Sequence, residues 1–316
     1  MYDCCQAEDA SFHPVQIRVK SLIRRVLLSG IVLGSGAGAT PGEEVSLLTN
    51  QIAQVDVVVV AHEDDWQLFM GDVLTQRLRA GNRGVFVYLT AGDDGRDSVY
   101  WQTRERAALG STRIGAGISV TEPLVCAMVQ IRVHSIRQCT LGNTESYFLR
   151  LPDGKRDGRG FARYSYRSLR KLRAKPSSEM SAVDASTTYL GWTDLVATVG
   201  AITNLHSPAI TIHTSDPSVA RNPHDHFDHR MAGLLVADLR KQHPLRAVYY
   251  VGYALATRAA NRSTAQTQAK TALLLAYDRE MTAVNKKWSA YQEHRAFYSE
   301  CLQRTYAVRS PITVIR

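Results

Sequence analysis

A run of β-branched apolar residues opens the patterned part of the chain. Val57 to Val60 are consecutive valines, and Val55 precedes them across Asp56. Such a run is typical of a strand that is buried on both faces of a parallel sheet. Apolar residues then recur at helical spacing over 68–78, and residues 84–90 form another apolar stretch. Strand, helix and strand with short links predict a βαβ unit and therefore a parallel sheet.

The rest of the chain alternates in the same way. We predict helices over 103–114, 193–205, 230–241 and 263–302, the last with a break near Asn285 and Lys286. Further strands are expected over 124–133, 209–212 and 246–251. One α/β domain accounts for these elements. We expect a Rossmann-like, open and mostly parallel sheet flanked by helices, within a domain that covers 40–316.

Ionisable residues are concentrated in two segments, each between a predicted strand and a predicted helix. The first is His62-Glu63-Asp64-Asp65, and the second runs from His224 to His229 with the sequence HDHFDH. In an open parallel sheet, ligands bind outside the carboxyl ends of the strands. We therefore expect the two loops, about 160 residues apart in sequence, to meet at one site.

Three of these residues match the ligand set that a catalytic zinc ion needs, and we predict them as the metal ligands. Such an ion takes three His or carboxylate ligands and leaves one position open. His62 and Asp65 are three residues apart across one turn, and His229 enters from the other loop. Two histidines and one carboxylate also suit ferrous iron, so the pattern predicts zinc or iron.

The neighbouring residues supply acid–base groups. Asp64 is the candidate general base that takes a proton from the attacking water. His226 is the candidate general acid, and we expect Asp228 to hold its ring and keep it protonated. Each segment has a simpler interpretation when taken alone. The acidic turn can be a helix N-cap, and the histidines can form a solvated loop or another kind of metal site.

At these residues the chain resembles the PIG-L/LmbE-like family of N-acetylglucosaminyl-phosphatidylinositol de-N-acetylases and their bacterial relatives. That family shows A-H-P-D-D-E after its first strand and H-x-D-H before a later helix. Here the two motifs read Ala61-His62-Glu63-Asp64-Asp65-Trp66 and His226-Phe227-Asp228-His229. Weaker similarities lie at Leu89 to Asp93, Arg104-Glu105, Leu151 to Gly154 and Lys270 to Tyr277.

The resemblance implies the same zinc ligands, base and acid, and it makes Arg104 a candidate substrate contact. Glu63 replaces the usual Pro, and Trp66 replaces the usual Glu. Trp66 can stack on a sugar or pack inside the helix layer, and it is kept among the candidate substrate contacts. His224 takes a position where some members have a Tyr that polarises the substrate carbonyl, which an imidazole can also do.

Positive charge is concentrated in one segment. The chain has a net charge of +9, and residues 132–175 contain twelve Lys or Arg against three acids. We interpret this segment as a basic insertion of loop character. It is either a surface for an anionic partner, such as an acidic glycan or a lipid head group, or a solvated insertion with no partner. No nucleic-acid-binding motif is present, so no nucleic-acid partner is expected.

The first 39 residues resemble a leader or a flexible N-terminus. Arg24 and Arg25 precede a short apolar run, and Ala37-Gly38-Ala39 offers a small-residue cleavage site. Export to the periplasm or the exterior is expected, with a cytoplasmic location as the alternative. Cys126, Cys139 and Cys301 would remain after cleavage, which permits at most one internal disulfide.

The sequence therefore predicts a metal-dependent N-deacetylase that acts on an N-acetylglucosamine-type amino sugar or glycoconjugate. The substrate can be anionic or close to a membrane surface. One alternative is a metal-dependent amidase that acts on a non-sugar N-acyl conjugate. Another is a glycan-binding protein without turnover. Neither the acylated molecule nor the oligomeric state follows from the sequence.

Overall fold

The computed structural model describes residues 54–175, 177–204 and 210–310, which all lie in one compact unit. Within them, eight strands form one sheet in the order β10-β9-β8-β1-β2-β5-β4-β3, and β6 and β7 pair separately. The predicted leader, residues 1–39, lies outside the described residues. Among those described, no helix is both long and apolar enough to span a bilayer.

The strands are β1 Val55–Val60, β2 Arg83–Thr90, β3 Leu124–Ile131, β4 His134–Leu141, β5 Thr144–Leu151, β6 Met180–Ser181, β7 Thr188–Tyr189, β8 Ile210–Ser215, β9 Arg246–Tyr250 and β10 Ala307–Ser310. The helices are α1 Asp65–Arg79, α2 Ser98–Ala116, α3 Leu169–Ala174, α4 Trp192–Asn204, α5 Phe227–Gln242, α6 Thr264–Val284, α7 Ala290–Glu293 and α8 Arg295–Leu302.

The centre of the sheet is parallel and its margins are antiparallel. Strands β9, β8, β1, β2 and β5 pair in parallel, whereas β10 and the β3–β4 hairpin add antiparallel strands at the two edges. The predicted fold class is therefore confirmed. The predicted break of the C-terminal helix is also confirmed, since α6 ends at Val284 and a 3₁₀ turn follows.

Alternate residues of β1 point to opposite faces of the sheet, and each face has its own apolar layer. Val57 and Val59 pack in the layer that contains α4 and α5, whereas Val58 and Val60 pack in the layer that contains α1 and α6. Both layers exclude water from β1, which explains why it has four consecutive valines.

The interpretation of residues 132–175 as a loop insertion is wrong for its first half. Residues 134–151 form β4 and β5, and β5 pairs in parallel with β2 inside the main sheet. Their polar residues lie among buried partners; for example, Arg150 donates to Glu105 at 2.6 Å. Cys126 and Cys139 form a disulfide across the β3–β4 hairpin.

Candidate active site

Four neighbouring parallel strands, β8, β1, β2 and β5, direct their carboxyl ends to the same edge of the sheet. His62 follows β1, and Asp93 follows β2. Asp153 follows β5, and the loop after β8 leads to His229 in the first turn of α5. The two predicted segments therefore meet at one site, as expected.

Three side-chain atoms converge at its centre. His62 Nδ1 lies 3.5 Å from Asp65 Oδ1 and 3.1 Å from His229 Nε2. The distance between Asp65 Oδ1 and His229 Nε2 is 2.9 Å. All three side chains are buried. They are the three residues that the sequence predicted as metal ligands.

Backbone hydrogen bonds orient Asp65. Its Oδ2 accepts from the backbone N–H groups of Ala61 at 3.0 Å and His62 at 2.9 Å, which directs Oδ1 toward the two imidazoles. Burial raises the pKa of Asp65, but His229 and His62 outweigh it, so the pKa lies well below its usual range. Asp65 is therefore held as a carboxylate.

His229 is fixed from behind by Asp225. His229 Nδ1 lies 3.0 Å from Asp225 Oδ1, and the other oxygen of Asp225 accepts from Asn222 at 2.6 Å. When the ring is neutral and Nδ1 donates to Asp225, the lone pair of Nε2 faces the centre of the site. The rings of Tyr253 and Phe69 pack edge-on against His229, with centroids at 5.1 Å and 5.4 Å.

The opposite side of His62 faces two carboxylates. His62 Nε2 lies 3.5 Å from Asp153 Oδ2 and 3.8 Å from Asp228 Oδ2. The Gly154 N–H donates to Asp228 at 2.6 Å, and a Cβ on Gly154 would lie only 2.4 Å from Asp228 Oδ1. Burial, opposed in part by His62, raises the pKa of Asp153 to about 6.

The predicted contact between the Asp228 carboxylate and the His226 ring is wrong. His226 Nδ1 accepts instead from the backbone N–H of Asp228 at 3.2 Å, while the Asp228 carboxylate faces Gly154 and His62. His226 is the N-cap of α5, which turns its ring back onto the helix. Burial, together with the neighbouring His62 and His229, holds the pKa of His226 well below its usual value, so Asp228 does not keep the ring protonated.

Asp64, the predicted base, is the N-cap of α1 and is tied to Arg104. Arg104 Nη2 donates to Asp64 Oδ1 at 2.6 Å, and Arg104 Nε donates to Glu63 Oε2 at 3.0 Å. The backbone of Gly92 packs against this group; a Cβ there would lie 2.6 Å from Glu63 Oε2. Glu63, which replaces the usual Pro, therefore shares Arg104 with the candidate base.

Two predicted substrate contacts lie elsewhere. Trp66 is completely buried, with its ring centroid 5.2 Å from that of Phe86, so packing inside the helix layer is confirmed and the sugar-stacking role is wrong. His224 is exposed at the rim of the site and adopts a left-handed backbone with φ of 59°. It lines a cavity of 520 Å³ with Lys155, Arg156, Asp157 and Asp225.

Sequence reasoning missed Asp225 and Asp153 as parts of the site. Asp225 stands four residues before His229, and this spacing around the start of a helix was a usable signal. Asp153 stands in the Leu151 to Gly154 stretch that carried a weak family similarity. Its placement depends on β5 lying beside β2, which no local pattern indicates.

The donor set fits a divalent metal ion. A tetrahedral zinc ion with ligand bonds of about 2.0 to 2.2 Å separates its ligand atoms by about 3.3 to 3.6 Å. The three separations of 2.9, 3.1 and 3.5 Å are close to those values. His62, His226 and His229 also form a group able to hold a metal, as do His62, Asp153, His226 and Asp228. We prefer the set with Asp65, because backbone hydrogen bonds already fix that carboxylate.

Comparison with known proteins identifies the family. Residues 57–239, more than half of the chain, match the PIG-L family, described as GlcNAc-PI de-N-acetylase. The chain belongs to the PIG-L family. The protein is therefore an N-deacetylase, a hydrolase of amide C–N bonds, and the predicted resemblance and enzyme class are confirmed. Both motifs lie within the matched residues, including the departures at Glu63 and Trp66.

Solved structures with a similar fold include three at low sequence identity. N,N′-diacetylchitobiose deacetylase from Pyrococcus horikoshii is 15% identical, with a TM-score of 0.46 over 82% of this chain and 85% of that protein. A deacetylase triple mutant of the teicoplanin biosynthetic pathway is 12% identical, with a TM-score of 0.45 over 81% and 98%. A conserved protein of Thermus thermophilus is 18% identical, with a TM-score of 0.40 over 84% and 97%. No curated protein matches this PIG-L family chain.

Proposed function

We propose that the protein removes the N-acetyl group from an N-acetylglucosamine-type amino sugar or glycoconjugate, with zinc held by His62, Asp65 and His229. The observation that supports this most is the convergence of three buried donor atoms within 3.5 Å of one another. Membership of a de-N-acetylase family supports the choice of an N-acetyl bond. The products would be acetate and a free amine.

A metal in this position would polarise the amide carbonyl and lower the pKa of a bound water. Other side chains hold the proposed ligands in place. Asp225 orients His229, and Asp153 and Asp228 face the far nitrogen of His62. The hydrogen bond with Asp225 fixes the direction of the His229 ring, whereas the two carboxylates near His62 act through their charge, because His62 Nε2 has no hydrogen-bond partner among the described residues.

Asp64 is the proposed general base. It stands next to Asp65 at the start of α1, where its carboxylate is half-buried and bonded to Arg104 through one oxygen. The structure gives Asp64 Oδ2 no hydrogen-bond partner among the described residues, so this oxygen can accept the proton of the attacking water. Arg104 is also the proposed contact for a substrate oxygen.

His226 is the proposed general acid. Its Nδ1 accepts a hydrogen bond from the Asp228 backbone, so a proton on the ring must reside on Nε2. Nε2 lies 3.8 Å from Asp153 Oδ1, at the same side of the site as His62. Because the low pKa keeps the ring neutral in the free enzyme, this role requires the ring to gain a second proton when substrate binds, before Nε2 passes its own proton to the departing amine.

The rim of the site suggests an anionic or membrane-proximal substrate. Lys155, Arg156 and His224 line the 520 Å³ cavity beside Asp225, and Arg156 Nη2 donates to the His224 carbonyl at 3.1 Å. Long-range attraction would concentrate an acidic glycan or lipid-linked sugar there. We also propose export, for which the Cys126–Cys139 disulfide is the support, because disulfides persist in oxidising compartments.

The test is acetate release from N-acetylglucosamine oligomers, measured with the metal content of the same preparation. We expect Asp64→Asn to lose at least about 100-fold in turnover, the usual contribution of a general base, while its metal content stays unchanged. Asp94→Asn, an exposed change in a nearby loop, is the matched control. Full activity in Asp64→Asn would remove Asp64 from its role. Acetate release only from non-sugar N-acyl compounds would refute the proposed substrate.

A further inference from the structure

The outer edge of the sheet at β3 lacks the features that usually protect an edge strand. Its eight residues, Leu124–Ile131, have the sequence LVCAMVQI and contain no charge. Natural edge strands are commonly short, charged or interrupted, because a long apolar edge invites another strand. At the other edge of the same sheet, β10 has only four residues and includes Arg309.

Large apolar side chains are exposed along β3. Val125 is 62% exposed, Met128 is 47% exposed and Leu124 is 44% exposed. Val133, in the turn that follows, is also exposed. The disulfide between Cys126 and Cys139 ties the middle of β3 to β4 and keeps the hairpin extended. The result is a rigid apolar strip at the margin of the molecule.

Within the part of the chain that the structure describes, no strand pairs with the outer side of β3. Ile131 and His134 flank a two-residue turn, and the residues that flank such a turn form a hydrogen-bonded pair. Hydrogen-bonded pairs alternate with non-bonded pairs along an antiparallel hairpin. The odd-numbered residues of β3 therefore form the backbone hydrogen bonds to β4. The even-numbered residues from 124 to 130 direct their N–H and C=O groups to the open edge. A second strand can bond to them in an antiparallel arrangement.

We propose that β3 pairs with β3 of a second copy of this chain, which would join two eight-stranded sheets into one across a two-fold axis at Ala127. This register places Val125 opposite the partner's Val129 and Met128 opposite the partner's Cys126. Where both residues of a pair have even numbers, their N–H and C=O groups face each other across the interface and can form hydrogen bonds. The two-fold axis makes every contact occur twice.

The charges at the two ends of β3 favour a second copy as the occupant. Glu122 precedes the strand and Arg132 follows it, and both residues are exposed. In the proposed register, Glu122 and the partner's Arg132 lie just beyond the paired residues, at the same end of the joined strands, and this occurs at both ends. Opposite charges placed near each other across an interface favour association, and like charges oppose it. The edge is separated by β4 from the nearest strand that carries a catalytic loop, so pairing leaves the active site open.

The test is the mass of the purified full chain in solution, measured by light scattering and sedimentation from submicromolar to high micromolar concentration. We expect the dimer mass for the wild type and the monomer mass for Met128→Lys. The matched control is Val99→Lys, which changes another exposed valine, in α2, and should remain dimeric. Circular dichroism shows whether each variant is folded.

Charge reversal tests the register. Glu122→Arg alone and Arg132→Asp alone should each weaken the dimer by about tenfold, because each change affects two exposed ion pairs, and the double variant should recover most of the loss. Asp suits the left-handed backbone of Arg132, whose φ is 57°. A monomeric wild type at all concentrations would refute the dimer. A dimer that survives Met128→Lys would place the interface elsewhere, and absence of recovery in the double variant would overturn the register.

Discussion

The hydrogen bond between Asp225 and His229 provides the sharpest test of the proposed metal centre. Asp225 Oδ1 accepts from His229 Nδ1 at 3.0 Å and from the Tyr253 N–H at 3.1 Å, and Oδ2 accepts from Asn222 at 2.6 Å. The carboxylate is 5% exposed, so water cannot easily replace it. Removing it would free His229 to rotate and would lower the basicity of Nε2.

The expected loss of metal affinity follows from the buried position of Asp225 behind His229. Loss of a hydrogen-bonded carboxylate behind a metal-bound histidine weakens metal binding by about 10- to 100-fold, which equals about 1.4 to 2.7 kcal/mol. We expect Asp225→Ala to weaken metal binding by an amount near the upper value of this range. Asp225→Asn should lose less, because the amide oxygen can still accept from His229 without its charge. Excess metal should restore much of the activity in both variants.

The assay is competition for zinc with a chromophoric chelator at fixed pH, together with acetate release as a function of metal concentration. Asp238→Asn is the control: it lies on the same helix as His229, but its partners are Lys241, Trp192 and Arg173. Unchanged metal affinity in Asp225→Ala would refute the role of Asp225. A loss of equal size in Asp238→Asn would show that the effect comes from the helix as a whole.

Three further predictions concern stability and packing. Trp66→Ala should lower the free energy of unfolding in urea by about 3 to 5 kcal/mol, because the Trp66 ring is completely buried. A higher KM with an unchanged free energy of unfolding would instead support a role as a sugar-stacking platform. Replacing both Cys126 and Cys139 by Ala should lower the free energy of unfolding by about 3 kcal/mol, because a disulfide across 13 residues reduces the entropy of the unfolded chain by about that amount. An unchanged urea midpoint would contradict this. Burial lowers the pKa of His213 below its usual 6.5 in the folded protein. As the pH drops below about 6.5, the unfolded chain takes up a proton at His213 that the folded protein does not, so the free energy of unfolding decreases. The stability difference between wild type and His213→Gln should therefore shrink from pH 7.5 to pH 5.5, and a difference that grows would be evidence against this sign.

The sequence by itself determined the first strand–helix–strand unit and the principal donor set. The valines of β1 specify a strand buried on both faces, because such a run suits no other position in the fold. His62, Asp65 and His229 were predictable because each lies next to a strand end or a helix start, and those boundaries are local features. The carboxyl ends of parallel strands share one edge, which brought the two segments together.

Only the tertiary structure decided how the remaining side chains are used. Asp153 enters the site because β5 pairs with β2, and residues 134–151 had looked like a loop because their charges obscured the strand pattern. Trp66 faces the core rather than a substrate because the rotation of α1 directs it at Phe86. The Asp228 carboxylate contacts Gly154 instead of the His226 ring, and Glu63 shares Arg104 with Asp64. Each of these outcomes depends on a contact between residues far apart in sequence, which packing sets and local pattern does not encode.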